Sequence, residues 1–180
     1  ANASAISSGK IDITGAGSET GGITYKDVYG QTTDVALAEV NVNDVSSGLK
    51  NIGVSAGSDT RVSIVGGINA LNATMGAGGG TVTGGVKNGK GLNDKFYANA
   101  NATRGTVFVI NNTTGGKDNI YNYDASRGDI LYFEDTAPDS VKFSGKSIVF
   151  SYSSGNKSSF TLNGTFSADT NIAIAFGSLE

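Results

Sequence analysis

The chain contains no cysteine, no histidine and no tryptophan, and only one proline and one methionine among 180 residues. Without cysteine there is no disulfide to staple the fold and no thiolate to serve as nucleophile or metal ligand. Without histidine the usual general base near neutral pH is missing, and with it the Ser-His-Asp kind of triad. Charge is sparse as well, with 13 Lys and Arg against 16 Asp and Glu and a formal net charge of −3. That balance gives no electrostatic basis for binding nucleic acid or an anionic membrane surface, both of which need clustered cations. No apolar run approaches the roughly 18 to 20 residues that cross a bilayer, so no membrane span is expected. The start, Ala1-Asn2-Ala3-Ser4-Ala5, lacks the basic and apolar regions of a signal peptide and reads as a mature or trimmed end.

What is abundant is glycine, 27 residues, about double the usual share of roughly 7%. With it come Asn, Ser, Thr and Ala, and β-branched residues in short groups. Ile11 with Ile13, Ile23 with Tyr25, Val40 with Val42, Ile52 with Val54 and Val62 with Ile64 keep the period of two that puts both members of a pair on one sheet face. Helical periodicity is nearly absent, and even Asp34 to Asn41, with Ala36, Leu37 and Ala38, reads as strand. Residues 66–91 carry so few large side chains that they suit a stack of thin layers, each completing the burial of the last. From Arg104 onward the strands are longer and hold most of the aromatics. Ser144-Gly145-Lys146, Ser154-Gly155-Asn156 and Asn163-Gly164 have the chemistry of hairpin turns. The expected fold is all-β: a Gly-rich, elongated β-solenoid or β-roll-like stack over residues 1–103, followed by antiparallel hairpins over 104–180.

One segment has a more specific pattern. Thr113-Thr114-Gly115-Gly116-Lys117-Asp118-Asn119-Ile120-Tyr121 places glycines before an Asp and an apolar residue two positions after it. Glycines let carbonyls turn toward an ion, the carboxylate supplies charge, and the apolar residue turns inward. It continues as Asn122-Tyr123-Asp124-Ala125-Ser126-Arg127-Gly128-Asp129-Ile130-Leu131, and Ser144-Gly145-Lys146-Ser147-Ile148-Val149-Phe150 follows. Over roughly residues 105–165 this resembles the repeats-in-toxin family of hemolysin-type calcium-binding proteins. The family's repeat opens with Gly-Gly where this chain has Thr113-Thr114, and it depends on tandem copies. The second, poorer copy here is Gly89-Lys90-Gly91-Leu92-Asn93-Asp94-Lys95-Phe96. The resemblance implies Ca2+ held by ligands drawn from Asp118, Gly116, Asp124, Asp129 and Asp94, across two adjacent turns. The other reading of the same residues is a turn in which Asp118 caps backbone amides.

Other motifs are better read as structure. Gly53-Val54-Ser55-Ala56-Gly57 has the spacing of a nucleophile elbow, yet Ser55 has no histidine to activate it and no helix pattern after it. Gly84 to Gly91 nearly spells a phosphate loop but has Gly91 where a hydroxyl should hold magnesium, and Gly15-Ala16-Gly17 with Gly21-Gly22 is a turn cluster. Glu134, Asp135 and Asp139 read as solvated loop carboxylates before they read as a glycosidase pair. The Asn-x-Ser/Thr triplets at Asn72, Asn101, Asn112, Asn156 and Asn163 are expected by chance in this composition. Tyr25, Tyr29 and Tyr97 are candidates for a sugar-binding face, with sheet packing as the default. Thr81-Val82-Thr83 is a single rung of the spacing an ice-binding ladder would repeat.

Together these readings point to a non-enzymatic, secreted structural or adhesive protein of a bacterial surface layer, fibre, adhesin or biofilm matrix, calcium-stabilised and self-assembling. Assembly would run through exposed sheet edges or through donation of the segment holding Ile11 and Ile13 to a neighbour. The opposing class is a monomeric calcium-binding module that presents a glycan- or protein-binding face.

Overall fold

A computed structural model describes residues 10–13, 22–27, 32–36, 38–41, 52–56, 61–66, 70–84, 86–110, 116–134, 137–153, 158–167 and 169–176, with backbone alone up to residue 56. Thr113 to Gly115, Asn112, Asn156, Tyr29, Asp135, Gly57 and Gly15 to Gly21, singled out above, lie outside them. The described residues are mostly strand, as expected of an all-β protein. Helix among the described residues is limited to one 3-10 turn, η1 (Ala125–Arg127).

Two eight-stranded sheets form. The first runs, in spatial order, β1 (Lys10–Ile13), β5 (Ile52–Ala56), β7 (Leu71–Thr74), β11 (Lys95–Tyr97), β13 (Lys117–Tyr121), β17 (Ser159–Asn163), β16 (Ser147–Ser151) and β15 (Ser140–Ser144). The second runs β3 (Thr32–Ala36), β2 (Gly22–Asp27), β18 (Ile174–Phe176), β14 (Ile130–Phe133), β12 (Thr106–Ile110), β8 (Gly80–Thr83), β6 (Val62–Val65) and β4 (Ala38–Asn41). From β4 to β14 the chain alternates between the sheets, and each strand pairs in parallel with the strand one circuit later: Asn72 with Lys95 with Asn119 in one sheet, Thr81 with Val107 with Ile130 in the other. One strand from each sheet makes a rung. Strands on both sides of residue 104 pair with one another, as β8 does with β12.

Of the longer strands after Arg104, β15, β16 and β17 pair as the expected consecutive hairpins, and the others do not. Antiparallel pairing there is limited to β15 with β16, β16 with β17, and β18 with β2, while β12, β13 and β14 are parallel members of the stack. The reason is local. A corner that sends the chain from one sheet to the other wants the same positive-φ residues as a hairpin, and Asn122 (φ 62) and Gly128 (φ 91) serve corners, whereas Gly145 (φ 64) serves a hairpin.

Period two fills the space between the sheets. Leu71, Ala73, Phe96, Ile120, Phe160, Leu162, Ile148 and Phe150 of the first sheet meet Ile64, Val82, Phe108, Leu131 and Phe133 of the second in one buried cluster. Phe150 stacks on Phe160 with centroids 4.6 Å apart, and Phe133 leans on Phe160 at 5.7 Å. The two outer faces differ. In β12 the alternate residue Val107 is also buried, and with Ala175, Val109, Ile130 and Tyr132 it forms a second apolar cluster. The near-continuous apolar run Thr106–Ile110 is what a parallel strand covered on both faces requires. The outer face of the first sheet carries Asn72, Lys95, Asn119 and Thr161, with Tyr97 stacked on Tyr121 at 4.7 Å. Rungs come closest at a column of glycines: a Cβ on Gly105 would fall 2.0 Å from the Gly128 carbonyl, so no side chain fits.

Candidate functional site

Asp94 stands two positions before Phe96, and Asp118 two before Ile120, so alternation turns both carboxyl groups toward the core. In register Asp118 lies beside Phe160. Each side chain reaches back one rung to a main-chain amide. The Leu71 N–H donates to Asp94 Oδ1 at 2.7 Å, and the Asp94 N–H donates to Asp118 Oδ1 at 3.0 Å, across 23 and 24 residues of sequence. Asp94 is buried, and an added Cβ on Gly84 would fall 2.2 Å from its Oδ2. Burial, and after it the neighbouring Asp94 charge, holds the Asp118 carboxyl well above the usual aspartate range.

The corner of the second sheet repeats the device. Asp129, fully buried, accepts the Thr106 N–H at 2.9 Å through Oδ1, again across 23 residues, and the Asp124 N–H at 2.9 Å through Oδ2. Burial raises its carboxyl above the ordinary value despite those bonds and the nearby Arg127. Asp124 caps η1, accepting the Ser126 hydroxyl at 2.6 Å and amide at 2.8 Å, and these bonds lower its carboxyl. The Arg127 guanidinium meets Asp124 at 3.3 Å and Asp129 at 3.4 Å, and also donates to the Asn122 carbonyl. Asparagines add rung-to-rung links that the sequence reading missed: Asn99 Nδ2 donates to the Met75 carbonyl at 3.2 Å, and Asn122 Nδ2 to the Ala98 carbonyl at 3.3 Å.

The five candidate calcium ligands therefore divide. Asp94 and Asp118 come together from adjacent turns, as a shared site would require, and Gly116 lies just before β13 with its carbonyl accepting the Ser159 N–H at 2.9 Å. Asp124 and Asp129 sit at the opposite sheet, where Arg127 already supplies a cation. Among the described residues no three acidic side chains converge. Among the described residues the two carboxylates, each with an oxygen engaged by an amide, supply only part of the roughly six to eight oxygens calcium takes. Asp94 and Asp118 as placed cap main-chain amides of the neighbouring rung.

The remaining candidates are placed as follows. Ser55 lies inside strand β5 and not on a strand-to-helix elbow. The near-phosphate loop is the tight hairpin of β9 (Val86–Lys87) and β10 (Lys90–Gly91), turning at Asn88 (φ 52) and Gly89 (φ 73). Asp139 accepts the Ser153 amide at 2.6 Å and hydroxyl at 2.8 Å, a loop clasp, while Glu134 is exposed just past β14. Thr81 is buried, which removes it from any exposed ladder. Tyr25 lies in β2, and Tyr97 belongs to the stacked outer pair. A cleft of about 510 Å3, absent from the sequence reading because it joins distant segments, is lined by Tyr123, Asp124, Ser126, Phe166, Thr170 and Asn171 among others. Burial drives the Tyr123 hydroxyl upward in pKa, and that hydroxyl accepts the Ala173 N–H at 2.7 Å.

The class these features define is an all-β chain whose parallel rungs are tied by inward-turned aspartates. No protein-family model, no curated protein and no solved structure matches it.

Proposed function

We propose that this chain is a structural or adhesive part of a bacterial extracellular layer, fibre or matrix, that its stack is a two-sheet β-solenoid of the roll type, and that it is not an enzyme. The observation that carries this reading is the repeated link from rung to rung. Asp94, Asp118 and Asp129 each accept an amide from the preceding rung, and Asn99 and Asn122 each donate to a carbonyl of it. Such contacts involve only neighbours, so stability grows along one axis, the property a rod or fibre segment needs. Asp94 and Asp129 serve this cohesion from inside the core, out of reach of a substrate. Light scattering across concentration, with calcium and with a chelator, tests the reading: the assembly grows with concentration, and calcium, the ion the resemblance implies, affects it only if the Asp94–Asp118 turn recruits further ligands.

The cleft favours a second reading, a monomeric module that binds a glycan or protein. Phe166 and Tyr123 offer ring surface, and Ser126, Thr165, Thr170 and Asn171 offer hydroxyl and amide groups, the mixture a sugar hydroxyl array needs. Calorimetric titration of neutral oligosaccharides into the native chain and into Phe166→Ala separates this reading from the first.

A further inference from the structure

Resting on the assembly reading above, we propose that β15 at one end of the first sheet accepts β1 of a second copy of this chain, so that copies join head to tail through one continued sheet. The two strands are the two ends of that sheet. Among the described residues each is hydrogen-bonded on one side only, β15 to β16 and β1 to β5. An unpaired edge is a template for another strand unless something blunts it.

The accepting edge is apolar on the wrong side for a strand that ends a sheet. Val141 and Phe143 are 56% and 55% exposed, the exposed large hydrophobic residues of the described chain. Their cross-strand partners are Phe150 and Ile148, both buried in the core. Val141 and Phe143 therefore stand on the core-facing side of the sheet and continue its apolar surface into solvent.

Direction and register then select the occupant. β16 is antiparallel to β17 and β15 is antiparallel to β16, so β15 runs the same way as β17, β13, β11, β7, β5 and β1. A β1 strand arriving from another copy would be one more parallel rung. Its sequence complements the edge position by position: Val141-Lys142-Phe143 against Ile11-Asp12-Ile13. Ile11 is in register with Val54, and Val54 with the buried Ala73, which places Ile11 and Ile13 at core-side positions. Lys142 falls opposite Asp12. An edge lysine ordinarily discourages strand addition, and a partner that brings an aspartate to that position is admitted where others are refused. Apolar pairs on one face and an opposite-charge pair on the other both favour this register.

The test uses the full chain. Light scattering and electron microscopy compare the native chain with Lys142→Asp, Asp12→Lys and the double exchange. The native chain forms polymers, each single exchange loses them by placing like charges opposite, and the double exchange regains them. A second measurement uses a chain carrying Asp12→Cys and Lys142→Cys. The native sequence has no cysteine, and seven strand spacings of about 4.8 Å put β1 and β15 roughly 34 Å apart within one copy. A disulfide requires Cα atoms within about 7 Å, so it can form only between copies, and oxidation should give a covalent ladder of multimers. A native chain that stays monomeric at every concentration overturns both the assembly reading and this edge. A native polymer that is indifferent to the single exchanges, with no disulfide in the cysteine pair, overturns this edge and leaves assembly standing.

Discussion

Asp118 sets an unusual sign for the pH dependence of stability. Its carboxyl is raised well above the ordinary value of 3.8, first by burial and then by Asp94. In the unfolded chain it titrates near 3.8, so between that pH and its raised folded value the native state binds the extra proton. Stability from this group is full below pH 3.8 and is lost as pH rises through the folded value. The slope within that window is at most about 1.4 kcal/mol per pH unit for one group, which for a chain of this size moves Tm by about 2–4 °C per kcal/mol. Asp129 shifts the same way and adds to it. The perturbation is Asp118→Asn, which keeps an oxygen for the Asp94 N–H and presents an amide where the protonated acid would stand. Thermal unfolding by circular dichroism between pH 4 and pH 8 is the assay. The native Tm should fall by several degrees from the acidic to the alkaline side of the window, and Asp118→Asn should flatten that fall and be at least as stable at pH 8. Parallel pH profiles for the two chains, or a uniform loss in the variant, would refute the reasoning.

Further substitutions test the packing. Gly105→Ala should cost more than about 3 kcal/mol in denaturant unfolding, because its Cβ meets the Gly128 backbone at 2.0 Å, while Gly145→Ala, with open space around it, should cost about 1 kcal/mol for its positive φ. Asp129→Ala leaves the Thr106 and Asp124 amides without their acceptor and should destabilise by about 2–4 kcal/mol, with Asp129→Asn milder, both read from the urea midpoint. Phe160→Ala should cost about 3–5 kcal/mol, and the exposed Phe143→Ala under about 0.5 kcal/mol, in the same measurement on dilute chains.

The strand content was readable because the short β-branched and aromatic runs Thr106–Ile110 and Ile130–Phe133 reflect a purely local preference. The period of the stack was harder, although it is written twice. Asn93-Asp94-Lys95-Phe96-Tyr97 answers Lys117-Asp118-Asn119-Ile120-Tyr121, and Arg104-Gly105-Thr106-Val107 answers Arg127-Gly128-Asp129-Ile130. The strands β15 and β16, inserted between β14 and β17, interrupt the spacing, and the small residues of 66–91 blur it further. Asp118 was picked out for its local pattern, and the poorer copy at Asp94 lies one rung away from it. Its amide partner could not be read locally, because a carboxylate that reaches back 24 residues depends on the register of two parallel strands. Gly145 was read correctly as a hairpin residue, but backbone preference alone specifies a reversal and not which sheet the chain enters next, so the corners at Asn122 and Gly128 were not distinguished.

The central claim is that this chain assembles with itself along one axis. Light scattering of the purified chain over a wide concentration range measures that most directly. The account predicts a mass that climbs from the 18.2 kDa of one copy into long multimers, seen as uniform fibres by electron microscopy. A mass fixed at one copy throughout would contradict it.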